Sequence, residues 1–234
     1  MSLLIKLEFQ DLSPIVRAKP LTNDLILTIV NCNSIHPMMQ CLLAVGHDGL
    51  LRGSELCSGL KVANIQWSAN RHEATFLLNR TKTHRSGGPV PVIIKDYGAQ
   101  SGIALLRHHF STNCLWHNPN CLVFPYFTSR SINWSIPLSV DQLRRRIKST
   151  MCHLNIDPRG FGTHSLRAGG ATDLFRAAVP YPIIKKYGRW KSDTALLYFR
   201  SENFISAAAG RAFAKTLASS TSTKLPEGRV EYLL

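Results

Sequence analysis

The chain has 234 residues, of which 44% are hydrophobic and 18% charged, so it is long enough for one substantial globular domain with a buried core. Twenty-eight Lys and Arg stand against 14 Asp and Glu, a net charge of +14 that points to a polyanionic partner, first of all nucleic acid. No apolar run reaches bilayer-spanning length, and charge interrupts Met1–Glu8 too early for a secretory signal.

Residues 1–20 lack periodicity and end in Arg17-Ala-Lys-Pro20, a lead-in arm. Asn23 reads as the cap of a first helix carrying Leu25, Ile26, Ile29 and Val30, and a second apolar helix occupies about 37–46. After the Gly49 break, Leu51-Arg-Gly-Ser-Glu-Leu56 begins another. The pattern then turns to short β-rich runs at 61–67, 73–78 and 90–94, which predict a small three-stranded antiparallel sheet. Its last turn is the basic loop Arg80-Thr-Lys-Thr-His-Arg-Ser-Gly-Gly88.

A helix at about 98–112 precedes a stretch with Cys and Pro that reads as irregular to about 137. Ser139-Val-Asp-Gln142 is a capping box opening a basic helix with Arg144, Arg145, Arg146 and Lys148. Helices at about 163–178, 182–187, 192–200 and 203–218 follow, the third opened by Ser192, and a Ser/Thr-rich tail covers 219–234. The fold class is mainly α (α+β), with domain boundaries at 1–20, 21–218 and 219–234.

Six cysteines are spread thinly in apolar contexts and read as reduced, intracellular thiols. Cys114, His117 and Cys121 form a C-x2-H-x3-C cluster, but only three ligands are local where a structural zinc site closes on four. No metal or cofactor is expected.

Residues 160–200 carry the chemistry. His164 and Arg167 lie three apart on one helix, Trp190 comes just before Ser192, and Tyr198 lies two turns beyond that cap. Lys185, Lys186, Arg189 and Lys191 crowd the same segment. Arginine forks, a histidine, an indole N–H and a tyrosine are suited to holding a phosphate and attacking it.

On these residues the sequence resembles the tyrosine recombinases, the phage-integrase-like enzymes. Thr163-His-Ser-Leu-Arg-Ala-Gly-Gly-Ala171 is similar to that family's H-x-x-R box, and Gly188-Arg-Trp-Lys-Ser-Asp-Thr-Ala-Leu-Leu-Tyr-Phe-Arg200 to the box bearing its nucleophile. Leu51–Leu56 resembles the first-arginine box, and Arg80-Thr-Lys-Thr83 the loop that delivers a catalytic lysine. The boxes fall in the family's order over about residues 20–217. Their wording, above all Gly-Arg-Trp-Lys-Ser-Asp193, most resembles the Crypton and DIRS-like mobile-element recombinases of eukaryotes.

The resemblance implies a helical catalytic core that cleaves and rejoins DNA through a 3′-phosphotyrosine, without metal or ATP. Arg52 and Arg167 would bind the non-bridging oxygens, and His164 and Trp190 would add donors. Lys82 would protonate the leaving 5′ oxygen, with Arg80 and Arg85 as rivals for that loop's contact to DNA. Tyr198 would be the nucleophile, with His164 accepting its proton and Glu55 orienting Arg52 or His164. Arg80, Arg85, Arg144, Arg145, Lys148, Arg189 and Lys191 are the expected DNA-backbone contacts.

The expected partner is double-stranded DNA, bound by a homo-oligomeric, tetrameric synapse that docks through the 203–218 helix. The expected site of action is inside the cell, in the nucleus if the source is a eukaryote. Type IB topoisomerase activity and a domesticated, non-catalytic DNA-binding module are the alternatives.

Two departures stand out. Trp190 and Tyr198 are eight apart, one fewer than in many bacterial and phage members. Only about 20 residues precede the match, where the family usually has a helical clamp domain. This predicts a fragment, a clamp supplied by another chain, or weak DNA binding.

Overall fold

The computed structural model describes residues 18–57, 59–78 and 88–193. Arg80, Lys82, Arg85, Tyr198, most of the 1–20 arm, the 192–200 helix beyond Asp193, the 203–218 helix and the tail lie outside the described residues. The described residues fall into two compact units, divided between Gly170 and Ala171.

The first unit opens with α1 (Asn23–Val30) and α2 (Pro37–Asp48). The first cap is Thr22, not Asn23: the backbone at Thr22 is extended and Asn23 is already the first helical residue. His36 caps α2, its Nδ1 accepting from Met38 N–H at 3.1 Å. Nearly every residue of α2 from Met38 to His47 is buried, which makes this helix the centre of the core.

A short helix, α3 (Gly53–Cys57), leads into a three-stranded antiparallel sheet in the order β1 (Ile65–Trp67), β2 (Glu73–Leu78), β3 (Val90–Lys95). A 3-10 turn, Val62–Asn64, takes the place of the expected early part of the first strand. In β2 and β3 burial alternates, so that Ala74 faces Ile94 and Phe76 faces Val92 on the core side. Pro91 falls on β3, an edge strand, the place in a sheet where proline is tolerated.

The next helix, α4 (Gly102–Thr112), is capped by Ser101 and packs on α2. Asp48, on α2, accepts from Gly102 N–H at 2.7 Å and fixes that junction. The stretch to 137 is not irregular throughout. It holds a 3-10 turn (Leu115–His117) and a second antiparallel pair, β4 (Pro125–Phe127) with β5 (Ile132–Pro137). A proline stands at one end of each strand and a register shift interrupts the pairing, so the alternation that marks a strand is hidden.

The basic helix α5 (Val140–His153) starts at the expected capping box: Ser139 Oγ accepts from Gln142 N–H, and Gln142 Oε1 accepts from Ser139 N–H. Among the described residues the last long helix is α6 (His164–Arg176), which begins in the first unit and ends in the second. The second unit contains α7 (Tyr181–Tyr187) and the segment after it. No described helix is long and apolar enough to cross a membrane.

Candidate active site

Arg52 stands immediately before α3, and Glu55 sits one turn in. Glu55 Oε1 accepts from Arg52 Nη1 at 2.8 Å, and Glu55 Oε2 accepts from Arg52 N–H at 2.8 Å. The second bond is the return half of a capping box, in which the carboxylate at the third helical position satisfies the cap's own N–H. The Glu55 side chain is 1% exposed and that of Arg52 17%, so the pair is shielded while the arginine still reaches solvent. Among the described residues, the Arg52 guanidinium spends one nitrogen on Glu55 and leaves Nε and Nη2 for another acceptor.

Close contacts bring this corner to the start of α6. A β-carbon on Gly53 would stand 2.6 Å from Thr163 Cβ, a separation real β-carbons do not adopt, so only glycine allows this approach. Gly53 follows Arg52 and Thr163 precedes His164. Gly46 on α2 is pressed from two sides, a β-carbon there lying 2.9 Å from Leu56 and 2.8 Å from Leu166. Leu56 follows Glu55, and Leu166 precedes Arg167. Thus the first-arginine segment and the H-x-x-R segment, more than 100 residues apart in sequence, are bound at two points. His164 is exposed at the first turn of α6, whereas Arg167 is only 3% exposed. The two therefore share a turn but not an environment.

The α5 helix borders the same corner: a β-carbon on Gly162 would meet Arg144 Cγ at 3.9 Å. Arg144, Arg145 and Lys148 are exposed, with Arg144 also pairing with Asp141 at 2.6 Å. Arg146 departs from this basic face. Its guanidinium lies 4.0 Å from the Phe127 ring centroid and donates to Phe127 O.

In the second unit, α7 ends in a Schellman motif. Trp190 N–H donates to Lys185 O and Arg189 N–H to Lys186 O, both at 3.0 Å, with Arg189 left-handed at φ 58. That position ordinarily takes glycine. The Trp190 ring folds back over Gly188, where a β-carbon would lie 1.6 Å from Cζ3. Asp193 accepts from Lys185 Nζ at 2.6 Å and from Tyr181 O–H at 2.9 Å, and these bonds hold its carboxyl below the usual range. Lys185, counted among the cations of this segment, is thus committed to Asp193. Lys191 is exposed. Sequence reasoning passed over Asp193, although a lone acid in the basic run 185–191 and beyond is a readable signal.

Cys41 and Cys57 are buried and their thiols are pushed up by burial, Cys57 to about 12. Among the described residues no three His, Cys, Asp or Glu side chains gather in a metal-binding group.

A helical core of this order, with its small antiparallel sheet between the first-arginine and H-x-x-R segments, is the catalytic-core fold of tyrosine recombinases. Solved structures with this fold include XerA recombinase, at 16% identity over 86% of this chain and 65% of XerA, with a TM-score of 0.62. XerH bound to palindromic difH substrate in a post-cleavage complex is 16% identical over 82% of this chain and 53% of its own, with a TM-score of 0.59. The Tn1549 transposon integrase with circular intermediate DNA is 17% identical over 87% and 66%, with a TM-score of 0.53. The chain thus spans about half the length of XerH. No curated protein matches it. The model of the phage integrase family matches residues 21–204, and the chain belongs to that family.

Proposed function

We propose that this protein cuts and rejoins DNA strands through a covalent 3′-phosphotyrosine at Tyr198, in site-specific recombination or in integration of a mobile element of the Crypton or DIRS-like kind. The observation that carries the reading is the double contact of Gly53 with Thr163 and of Leu56 and Leu166 with Gly46, in a chain of this family. It supports grouping the segments that carry Arg52, His164 and Arg167 into one site beside the basic face of α5.

The roles follow from the charge that develops. Attack by Tyr198 Oη on phosphorus forms the P–O bond to tyrosine, breaks the bond to the 5′ oxygen, and loads negative charge on the non-bridging oxygens. Arg52 and Arg167 bind those oxygens. Glu55 is a positioning residue, which fixes the Arg52 fork before DNA arrives. A phenol with an ordinary pKa of about 10 needs a proton acceptor at neutral pH, and the exposed His164 is the group proposed for that task. Trp190 supplies a further N–H, and Lys82 protonates the 5′ oxygen. The reverse reaction, with a 5′-hydroxyl as nucleophile, reseals the strand.

Double-stranded DNA is the substrate, gripped by Arg80, Arg85, Arg144, Arg145, Lys148, Arg189 and Lys191. The 203–218 segment joins copies of the chain into the tetrameric synapse. In a eukaryotic source the place of action is the nucleus. The test is a nicked suicide duplex carrying the terminal sequence of the element: the parent chain gives an SDS-stable adduct and Tyr198→Phe gives none. An equal adduct from the variant removes Tyr198 from its role, and tight binding without any adduct replaces cleavage by mere binding.

A further inference from the structure

On the flank of α5, away from its basic face, a cavity of about 290 Å³ opens between that helix, the start of α2 and the β4–β5 turn. With about 100° per residue, the side chains of Arg144, Arg145 and Lys148 centre on one direction of the helix wheel. Those of Arg146, Ser149 and His153 centre roughly 120° from it, with the apolar stripe of Leu143, Ile147 and Met151 on the third side. The cavity is therefore not a continuation of the expected DNA face.

The polar lining is rich in donors. Arg146 is half-buried, and among the described residues no carboxylate pairs with it; it is held in place by the Phe127 ring and the Phe127 carbonyl. His36 Nδ1 accepts from Met38 N–H, so the neutral ring carries its proton on Nε2. Ser129 and Ser149 make no side-chain hydrogen bond among the described residues. Ser34 and His153 share one at 2.5 Å. Asp and Glu are absent from the whole lining. A charged fork fixed against an aromatic ring, an imidazole N–H and uncommitted hydroxyls around one space suit a tetrahedral oxyanion. Ile35, Met39 and Phe127 leave apolar room for a substituent on it.

We infer that this cavity is a binding site for a phosphate group, carried by a small phosphomonoester and separate from the DNA-cleaving corner. Phosphate of the DNA backbone is the other source of the same chemistry, and the experiment separates the two. The full chain is titrated calorimetrically with inorganic phosphate and with O-phosphoserine at constant ionic strength, in the absence of DNA, so the outcome does not depend on strand cleavage.

The expected result is a saturable site that Arg146→Gln weakens at least roughly tenfold and that Arg52→Gln, in the DNA-cleaving corner, leaves unchanged. Ser149→Ala, an exposed change that leaves the core untouched, should weaken it about threefold, and the surface control Lys95→Gln should not change it. Absence of saturable binding, or equal binding by Arg146→Gln with its fold intact by circular dichroism, overturns the site. A site that rejects both small ligands, while Ser149→Ala and Arg146→Gln lower duplex affinity and its salt slope as Arg145→Gln does, belongs to the DNA backbone and overturns the small-ligand assignment.

Discussion

Gly53 and Thr163 lie so close that a β-carbon on the glycine would stand 2.6 Å from Thr163 Cβ and 2.9 Å from its Cγ2. The contact joins the residue after Arg52 to the residue before His164. Gly53→Ala should therefore force the two segments apart, at a cost of about 1–3 kcal/mol of stability. Urea unfolding measures the loss, and adduct yield on the suicide duplex should fall with it. Thr163→Ser, which removes Cγ2 alone, should recover part of both. If Gly53→Ala is as stable as the parent, the close approach is not holding the corner together.

Glu55 binds both the backbone and the side chain of Arg52. Its replacement by Ala leaves an N–H and a guanidinium without their shared acceptor in a shielded place, a loss of about 3 kcal/mol. The adduct yield should drop roughly tenfold with duplex affinity little changed, because positioning is lost and not the charge. A drop in affinity alone, with the cleavage rate of bound duplex intact, would show that Glu55 serves only the fold.

Arg189 occupies a left-handed position that favours glycine, at a cost of about 1 kcal/mol. Arg189→Gly should raise stability by about that amount while weakening duplex binding and flattening its salt dependence by about one unit. Thermal melting and a salt titration read the two effects separately. Tighter binding by the glycine variant would refute the proposed contact of Arg189 with DNA.

Asp96 gives a pH dependence with a definite sign. Burial alone would raise its carboxyl, but Ser101, the Gly98 N–H, Arg107 and His72 all donate to it and hold it at about 2. A carboxyl depressed in the folded state adds stability above its unfolded value near 3.8, and that stability is lost as pH falls through the folded value. The contribution is about 2 kcal/mol, fading between about pH 4 and 2. In acid titration monitored by tryptophan fluorescence, Asp96→Asn should be less stable than the parent at neutral pH, and that deficit should close as pH falls across the window. A constant gap from pH 7 to 2 would contradict the linkage.

Much of the corner was readable in the sequence because each piece is local. The Ser139–Gln142 capping box needs only three residues, and the pairing of Arg52 with Glu55 needs only one helical turn. The β4–β5 pair escaped because prolines at its ends mimic a loop. Arg146 was grouped with the basic face because charge counts do not report direction: Phe127, nineteen positions away, turns it inward. Asp193 was passed over because its partners, Tyr181 and Lys185, lie on the preceding helix, and only the Schellman turn at Arg189 brings the chain back to them. Thr22 displaced Asn23 as the cap because either residue type suits that place, so composition alone does not set the boundary to one residue.

The bonds that tie Glu55 to Arg52 have a consequence for the order of events. A side chain anchored at both its root and its tip cannot swing out to search for a ligand. Under the proposed function, the scissile phosphate would have to be carried to a fixed address, and a duplex whose backbone is displaced by even a fraction of a helical step would meet no compensating movement from the arginine. Fidelity in choosing which phosphate is cut would then rest on the rigidity of this one turn as much as on any contact that reads the bases.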